Sequence, residues 1–320
     1  IHLKKTRDKS PKVEITAQNN SIIDFLMKMK RREKQMKNVK VILWGLGAMG
    51  GGIGKMLAKK KGVDIVGGID IGDKIGKNLY DVVPGIVQGD RADVIVGTPD
   101  EVIVPGAADI VVVCTNSFTK DVFDKLIFVM ERGMNVITSA EEMAYPQAQE
   151  PELAKKLDEC AKKNGVSVMG TGINPGLIMD LLVILWTAAC EEVNHITSRR
   201  VNSLSPFGPA VMEEQGIGMS VEDFNERKAK GTMAGHVGFA ESVGMMCEAL
   251  GWKLEDFGQD MEPIITDVDR KSPYGFAPAG SVAGVAMKGW GIVDGERKLD
   301  MDHPQQIEPE QVGVQTGDYV

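Results

Sequence analysis

The sequence predicts an α/β protein: a doubly wound parallel sheet followed by a second, α+β domain. Three observations predict it. Four apolar residues, Val41–Trp44, run directly into Gly45-Leu46-Gly47-Ala48-Met49-Gly50, and a helical pattern follows. A second buried strand, Val63–Ile69, is read to end in an acid, Asp70. Strand-like and helix-like segments then alternate as far as Gly176, where the alternation ceases.

A G-x-G-x-x-G stretch between a strand and a helix, with an acid about twenty residues on, is the dinucleotide pattern of Rossmann-type sheets. Gly45 is expected to make the tight turn and Gly47 to let the backbone approach a pyrophosphate. Gly50 is expected to let the helix pack close to the strand. The loop and helix start, Leu46, Ala48 and Met49 included, present free N–H groups and the positive end of the helix dipole to phosphates. Asp70 is placed to take the adenosine ribose hydroxyls, which favours NAD. Lys74 and Lys77 just beyond it leave NADP open.

Further along, Ile71–Val102 is rich in Gly, Pro and Asp and reads as loops with a short strand at Asp93–Val96. Ala108–Cys114 is a third buried strand, without alternation because a parallel sheet is covered on both faces. Thr115, Asn116 and Ser117 follow at its carboxyl end, where ligands of open α/β sheets collect. They are expected along the ribose and nicotinamide half of the cofactor. Phe118–Arg132 has helical spacing and stops at Gly133. Asn135–Thr138 is a fourth strand leading to Glu141-Glu142, Glu152–Lys163 an amphipathic helix, and Val166–Met169 a fifth strand leading to Asn174-Pro175. Asn174 and Pro175 are assigned to the cofactor side for that strand-end position. Leu177–Cys190 reads as a long buried helix, too short to cross a bilayer. Alternating His195–Asn202 reads as a strand, Ser220 as a helix cap, and helical material continues to Leu250. Ile264–Val268, Ser281–Met287, Gly289–Val293 and the stretch from Gly313 onward read as strands.

Composition sets the outer bounds. A chain of 320 residues with 43% hydrophobic and 26% charged residues has room for two domains, and a net charge of −8 argues against nucleic acid as a partner. Residues 1–37 nevertheless hold 11 Lys/Arg against 4 Asp/Glu. Residues 1–35, with a capped helical stretch at Ser21–Lys34, read as an N-terminal extension without an assigned role. Residues 36–175 read as the NAD(P)-binding domain and 176–320 as a substrate and dimerisation domain, expected to continue past Val320. Four scattered cysteines point to a reducing, cytoplasmic setting, and neither they nor the four histidines have metal-ligand spacing. No membrane-spanning stretch is expected.

The sharpest chemical signal is the acid pair Glu141-Glu142, directly after a buried strand. One acid could cap the next segment and the other be solvated. Alternatively a carboxylate there binds a cationic amine or accepts its proton, which oxidation of an amine carbon requires. His236 stands between glycines at a helix start, where helix-start hydrogen bonding and substrate contact are both open. Arg199 and Arg200 point to opposite faces of a strand. Arg200 is the candidate clamp for a substrate carboxylate, with an exposed sheet face as the plain alternative. Cys114, ending an apolar strand, reads as a small buried thiol, and His195 as structural.

Four stretches together, Val41–Gly50, Thr138–Pro146, Gly170–Gly176 and Gly235–Ser242, resemble the family of 2,4-diaminopentanoate dehydrogenases and native amine dehydrogenases. The resemblance runs from Val39 to the end and implies a dihydrodipicolinate-reductase-like fold and a homodimer. It also implies NAD(P)-dependent oxidative deamination at C4 of a small diamino acid or amine, with an active-site glutamate at Glu141 or Glu142. Dihydrodipicolinate reductase itself would need a His-His signature, which is missing here. Homoserine and diaminopimelate dehydrogenases share the fold. A non-catalytic dinucleotide sensor would keep Gly45–Gly50 and Asp70 without needing the acid pair.

Overall fold

Six parallel strands in the order β3-β2-β1-β4-β5-β6 make the first half of the computed structural model, which describes residues 37–233 and 235–319. The strands are β1 (Val39–Trp44), β2 (Val63–Ile69), β3 (Val96–Gly97), β4 (Ile110–Val113), β5 (Asn135–Thr138) and β6 (Val168–Gly170). Between them run α1 (Ala48–Leu57), the one-turn helices α2 (Leu79–Val82) and α3 (Pro99–Val102), α4 (Thr119–Met130) and α5 (Pro151–Asn164). The N-terminal extension and its helical stretch lie outside the described residues.

Alternate residues of β1 and β4 face opposite helical layers, so both strands are apolar apart from Lys40 near the start of β1. Ile42, Trp44, Val111 and Val113 pack with Val122, Leu126 and Val129 of α4 and Leu157 of α5. Val41, Leu43 and Val112 pack on the other side with Leu79, Val83 and Ile86. The fully buried side chains among these each contribute roughly 1.5–3 kcal/mol by burial.

The second half is a five-stranded mixed sheet, β13-β7-β12-β11-β8. Its strands are β7 (Ile196–Ser203), β8 (Asp256–Ile265), β11 (Val282–Val293), β12 (Glu296–Gln306) and β13 (Gly317–Tyr319), beside a small β9 (Arg270–Lys271) and β10 (Phe276–Ala277) ribbon. The helices are α6 (Leu181–Thr187), α7 (Pro209–Glu214), α8 (Val221–Ala229) and α9 (Phe239–Leu250). Helix α9 lays Phe239, Val243, Met246 and Cys247 onto Val285, Met287, Leu299 and Met301. A Cβ on Gly289 would stand 2.7 Å from the Phe239 ring, so close contact between helix and sheet requires glycine there. Among the described residues, no helix is long and apolar enough to cross a membrane.

Expectations about this half need correction. Leu177–Cys190 is not a long buried helix. Helix α6 covers Leu181–Thr187 with Val183 buried, while Leu181, Leu185 and Trp186 are 42–61% exposed. Ser281–Met287 and Gly289–Val293 are one continuous strand, because Lys288 and Gly289 pair straight through with Asp302 and Met301 of β12. That partner, β12, had no apolar pattern to announce it.

The glycine loop supplies a test of the packing. A Cβ on Gly50 would lie 1.8 Å from the Gly45 carbonyl oxygen, whereas one on Gly52 meets nothing within 4 Å. Gly52→Ala is expected to raise the melting temperature, by the about 1 kcal/mol that alanine gains over glycine in a helix interior. Gly50→Ala should lower it; thermal melts of the two variants beside the parent check both signs.

Candidate active site

The turn after β1 forms as its glycines demand. Gly45 has φ +94°, a conformation open to glycine, and any Cβ there would meet the Cys114 carbonyl at 2.4 Å. Gly47 caps α1 with open space beside its Cα. Around this turn lies a cavity of about 400 Å³ lined by Trp44–Gly47, Asp70, Ile71, Lys74, Cys114–Asn116 and Lys125. Residues from the carboxyl ends of β1, β2 and β4 therefore meet in one place. The Cys114 thiol is pushed up by burial, which fits an inert packing residue and no nucleophile.

Asp70 is the most heavily tied group in this cavity. One carboxylate oxygen accepts from Leu46 N (2.8 Å) and from Lys74 Nζ (2.7 Å), and the other accepts from Ile71 N (2.8 Å). Burial raises its pKa, but the hydrogen bonds from Lys74, Ile71 and Leu46 outweigh that and hold it below the ordinary value. Lys74 also donates to the Leu46 carbonyl at 3.1 Å, so the acid is locked with a cation beside it. Lys77 turns away to Asp73. Lys125, missed in the sequence, donates to Thr115 Oγ1 (2.9 Å) and Asn116 Oδ1 (2.7 Å). The hydroxyl hydrogen of Thr115 and the Asn116 amide hydrogens are thereby left to donate elsewhere. These features fit a dinucleotide: an open glycine at a helix N-terminus for phosphate, an oriented acid for ribose, and fixed polar side chains for the second half.

The two acids of the pair separate in role. Glu142, buried, donates its N–H to the Ser117 carbonyl (3.1 Å) and accepts from Thr119 N at Oε2 (2.7 Å). Thr119 is the first residue of α4, so Glu142 caps that helix from across the sheet edge. Glu141 is half-buried and makes no side-chain hydrogen bond among the described residues. Glu142 also lines a second cavity, of about 220 Å³, with Phe118, Gln149, His236–Glu241, Phe257 and Gln259. The loop Thr115–Phe118 divides the two cavities.

His236 meets Asn174 and His303 at the edge of this second cavity. Asn174 Nδ2 donates to His236 Nε2 (3.0 Å), which makes the ring the Nδ1–H tautomer. The His236 and His303 rings stand edge to face with centroids 5.0 Å apart. Burial, then the neighbouring His303 and Arg200, push His236 down to about 3. Burial pushes His303 down to about 4, against the raising effect of its hydrogen bond to the Arg200 carbonyl (2.9 Å). Arg200 itself pairs with Asp318 (3.3 Å), while Arg199 faces Asp302 on the other side of the strand. Asn174 and Pro175 thus sit with the second cavity and not with the glycine loop: Pro175 packs against Gly238, where a Cβ would clash at 2.5 Å. His195 pairs with Asp300 (2.9 Å) away from both cavities.

Residues 177–320 match the family described as the 2,4-diaminopentanoate dehydrogenase C-terminal domain. A curated 2,4-diaminopentanoate dehydrogenase of Acetoanaerobium sticklandii is 68% identical over 286 residues, 89% of this chain and 81% of that protein. The chain belongs to the 2,4-diaminopentanoate dehydrogenase family. A solved amine dehydrogenase of Mycobacterium smegmatis superposes with TM-score 0.73 at 25% identity, over 88% of this chain and 82% of that one. A UDP-N-acetylglucosamine 3-dehydrogenase of Acidithiobacillus ferrooxidans shares the fold alone, with TM-score 0.50 at 12% identity over 85% and 72% of the two chains. In this member of the family sequence reasoning overlooked Glu241, Gln149 and His303 beside the second cavity. The available signal for Glu241 was its place in Gly235–Ser242, which reads locally as an ordinary helix-start acid.

The two histidines make a pH prediction. Their folded-state pKa values lie below the ordinary 6.5, so the unfolded chain binds protons first. Their contribution to stability is complete above pH 6.5 and is lost as pH falls from there toward 4, by up to about 1.4 kcal/mol per pH unit for each ring. Denaturant titrations at pH 7.5, 6 and 5 should show a shallower acid dependence in His303→Gln than in the parent.

Proposed function

We propose that this chain oxidises 2,4-diaminopentanoate at C4, giving 2-amino-4-oxopentanoate and ammonia, with a nicotinamide dinucleotide as oxidant. The observation that carries the reading is the 68% identity to a curated enzyme of that name across a span covering both cavities. When bound, the nicotinamide supplies the hydride acceptor. The protein's residues do the rest. Thr115 and Asn116 orient the dinucleotide's reactive half, and Glu142 sets a negative charge beside the amine in the second cavity. Arg200, with His236 and Asn174, anchors the amino-acid end. Holding C4 and the acceptor in line supplies much of the acceleration.

Asp70 favours NAD, since a carboxylate at the ribose repels a 2′-phosphate. Its bond to Lys74 leaves a cation at the same rim, and we assign the chain use of both dinucleotides with NAD preferred. Lys74→Met is expected to raise KM for NADP by about tenfold while changing that for NAD less, about 1.4 kcal/mol of selective loss. Steady-state kinetics with each cofactor measure it.

A homodimer is supported by the apolar residues of α6, Leu181, Leu185 and Trp186, with Leu177 beside them, all exposed in the single chain. We place the enzyme in the cytoplasm, following its scattered, unpaired cysteines.

The deciding experiment follows dinucleotide reduction with 2,4-diaminopentanoate against ornithine and simple amines. The diamino acid is expected to be the best substrate. Glu142→Gln keeps an acceptor for Thr119 N and removes only the charge. It should lower kcat by about a hundredfold or more while dinucleotide affinity holds. Unchanged turnover in that variant would show Glu142 to be only the cap of α4.

A further inference from the structure

The second cavity holds another carboxylate that the reaction described above does not use. Glu241, in the first turn of α9, is fully buried and lines the cavity with Glu142. Its Oε1 accepts from Gln149 Nε2 at 2.7 Å, and the same amide reaches Glu142 Oε1 at 3.5 Å. Glu241 Oε2 has no hydrogen-bond partner among the described residues. A buried carboxylate oxygen without a donor is costly, and a native fold keeps one where something else supplies the donor. The remaining lining is apolar or neutral: Phe118, Val237, Phe239, Ala240, Phe257 and Gln259. Two acids joined by one amide, in a small pocket whose other lining side chains, His236 among them, carry no charge, match a short alkylammonium in size and charge.

We propose that Glu241 is a further catalytic residue, the base that takes the proton from the substrate's C4 ammonium. This rests on the deamination reading given above. Glu241 removes one proton from R₂CH–NH₃⁺, and the C4–H electron pair leaves as hydride to the bound nicotinamide, giving the iminium R₂C=NH₂⁺. Water adds to C4 and ammonium leaves, forming the ketone, and Glu241 then releases its proton to solvent.

The surroundings suit a base working near neutrality. Burial, with Glu142 adding to it, pushes the Glu241 carboxyl up to about 7 against the lowering effect of the Gln149 hydrogen bond. The groups facing it are Glu142 from the turn after β5 and Gln149 from the loop before α5. His236, neutral, lies on the approach to α9, and Gln259 is contributed by β8. Lys120 at the start of α4 is neutralised by Glu150 at 2.6 Å.

The experiment is the pH dependence of kcat/KM for 2,4-diaminopentanoate at saturating dinucleotide, with kcat taken at pH 8, for the parent, Glu241→Gln and Gln149→Leu. Cofactor affinity is measured by fluorescence titration and folding by thermal melts. In the parent, kcat/KM should rise with pH through an inflection near 7. Glu241→Gln should lose about a hundredfold or more in kcat and lose that inflection. It should bind dinucleotide as the parent does and melt no lower at pH 8, since the change removes a buried charge beside Glu142. Gln149→Leu deletes the bond that lowers the carboxyl's pKa, so its inflection should move to higher pH, a shift that a packing role for Glu241 cannot produce. A folded Glu241→Gln variant with kcat within threefold and the parental inflection overturns the proposal, as does an unmoved inflection in Gln149→Leu. A parent that reduces no dinucleotide with the diamino acid overturns instead the reading of the reaction on which it rests.

Discussion

Glu142 reaches from the turn after β5 to the start of α4 and ties the two together in both directions. Its N–H donates to Ser117 and its carboxylate accepts from Thr119. The loop held between those bonds has the dinucleotide cavity on one side, through Thr115 and Asn116, and the acid-lined cavity on the other, through Phe118. A shift of the acid would move both walls together. The same side chain is therefore a helix cap and a wall of the second cavity, and its structural bond fixes where its carboxylate stands.

The opposite wall is set by a second buried carboxylate. Asp180 accepts from Gly176 N (2.7 Å), Leu181 N (2.6 Å) and Ser242 Oγ (2.9 Å), so a charge with no exposure is met by three donors. These bonds connect the loop after β6 with α6 and with the first turn of α9. Pro175 fills the space beside Gly238, and Asn174 turns toward His236. The start of α9, and with it Glu241, is consequently placed by the loop that leaves the parallel sheet. The two halves of the chain meet through polar contacts of fixed direction, which suits a site assembled from both.

Much of the first half was legible in the sequence because a parallel strand buried on both faces is apolar at every position. Val41–Trp44 and Val111–Val113 could hardly be anything else. Gly45 and Gly50 took the geometric roles their spacing implied, and Gly47 stands at the start of α1 with open space beside it. The second half was harder. In β12 the buried face carries Leu299, Met301, His303 and Gln305, and Pro304 interrupts the run, so the period-2 signal is half polar and contains a residue that strands avoid. The fold accommodates that proline because the ladder to β7 skips from Asp302 to Gln305. Apolar Leu177–Cys190 misled for another reason: an apolar run does not say which of its residues reach the core, and Leu181, Leu185 and Trp186 stay exposed in this chain. The site was legible only where it is local. The Glu141-Glu142 pair stood out, but the contact joining Gln149 to Glu241 spans 92 positions and has no local signature.

The acids of the second cavity show why a buried charge without full partners is informative. Asp180 and Glu142 each meet donors from the backbone, and their bonds explain their burial. Glu241 Oε2 has no partner among the described residues and Glu142 stands nearby, so the ionised form of Glu241 is disfavoured. Asymmetry of that kind within a pair of carboxylates divides their tasks: the well-held acid is fixed where it attracts a cation, while the poorly held one can exchange a proton near neutral pH. A diamino acid entering between them brings the missing donors on its ammonium group. Its arrival would stabilise the charged form of Glu241, and the proton then moves from nitrogen to oxygen over a single hydrogen bond. The local rule that buried polar atoms are satisfied is thus broken at Glu241 Oε2, a point where the substrate's ammonium can meet it.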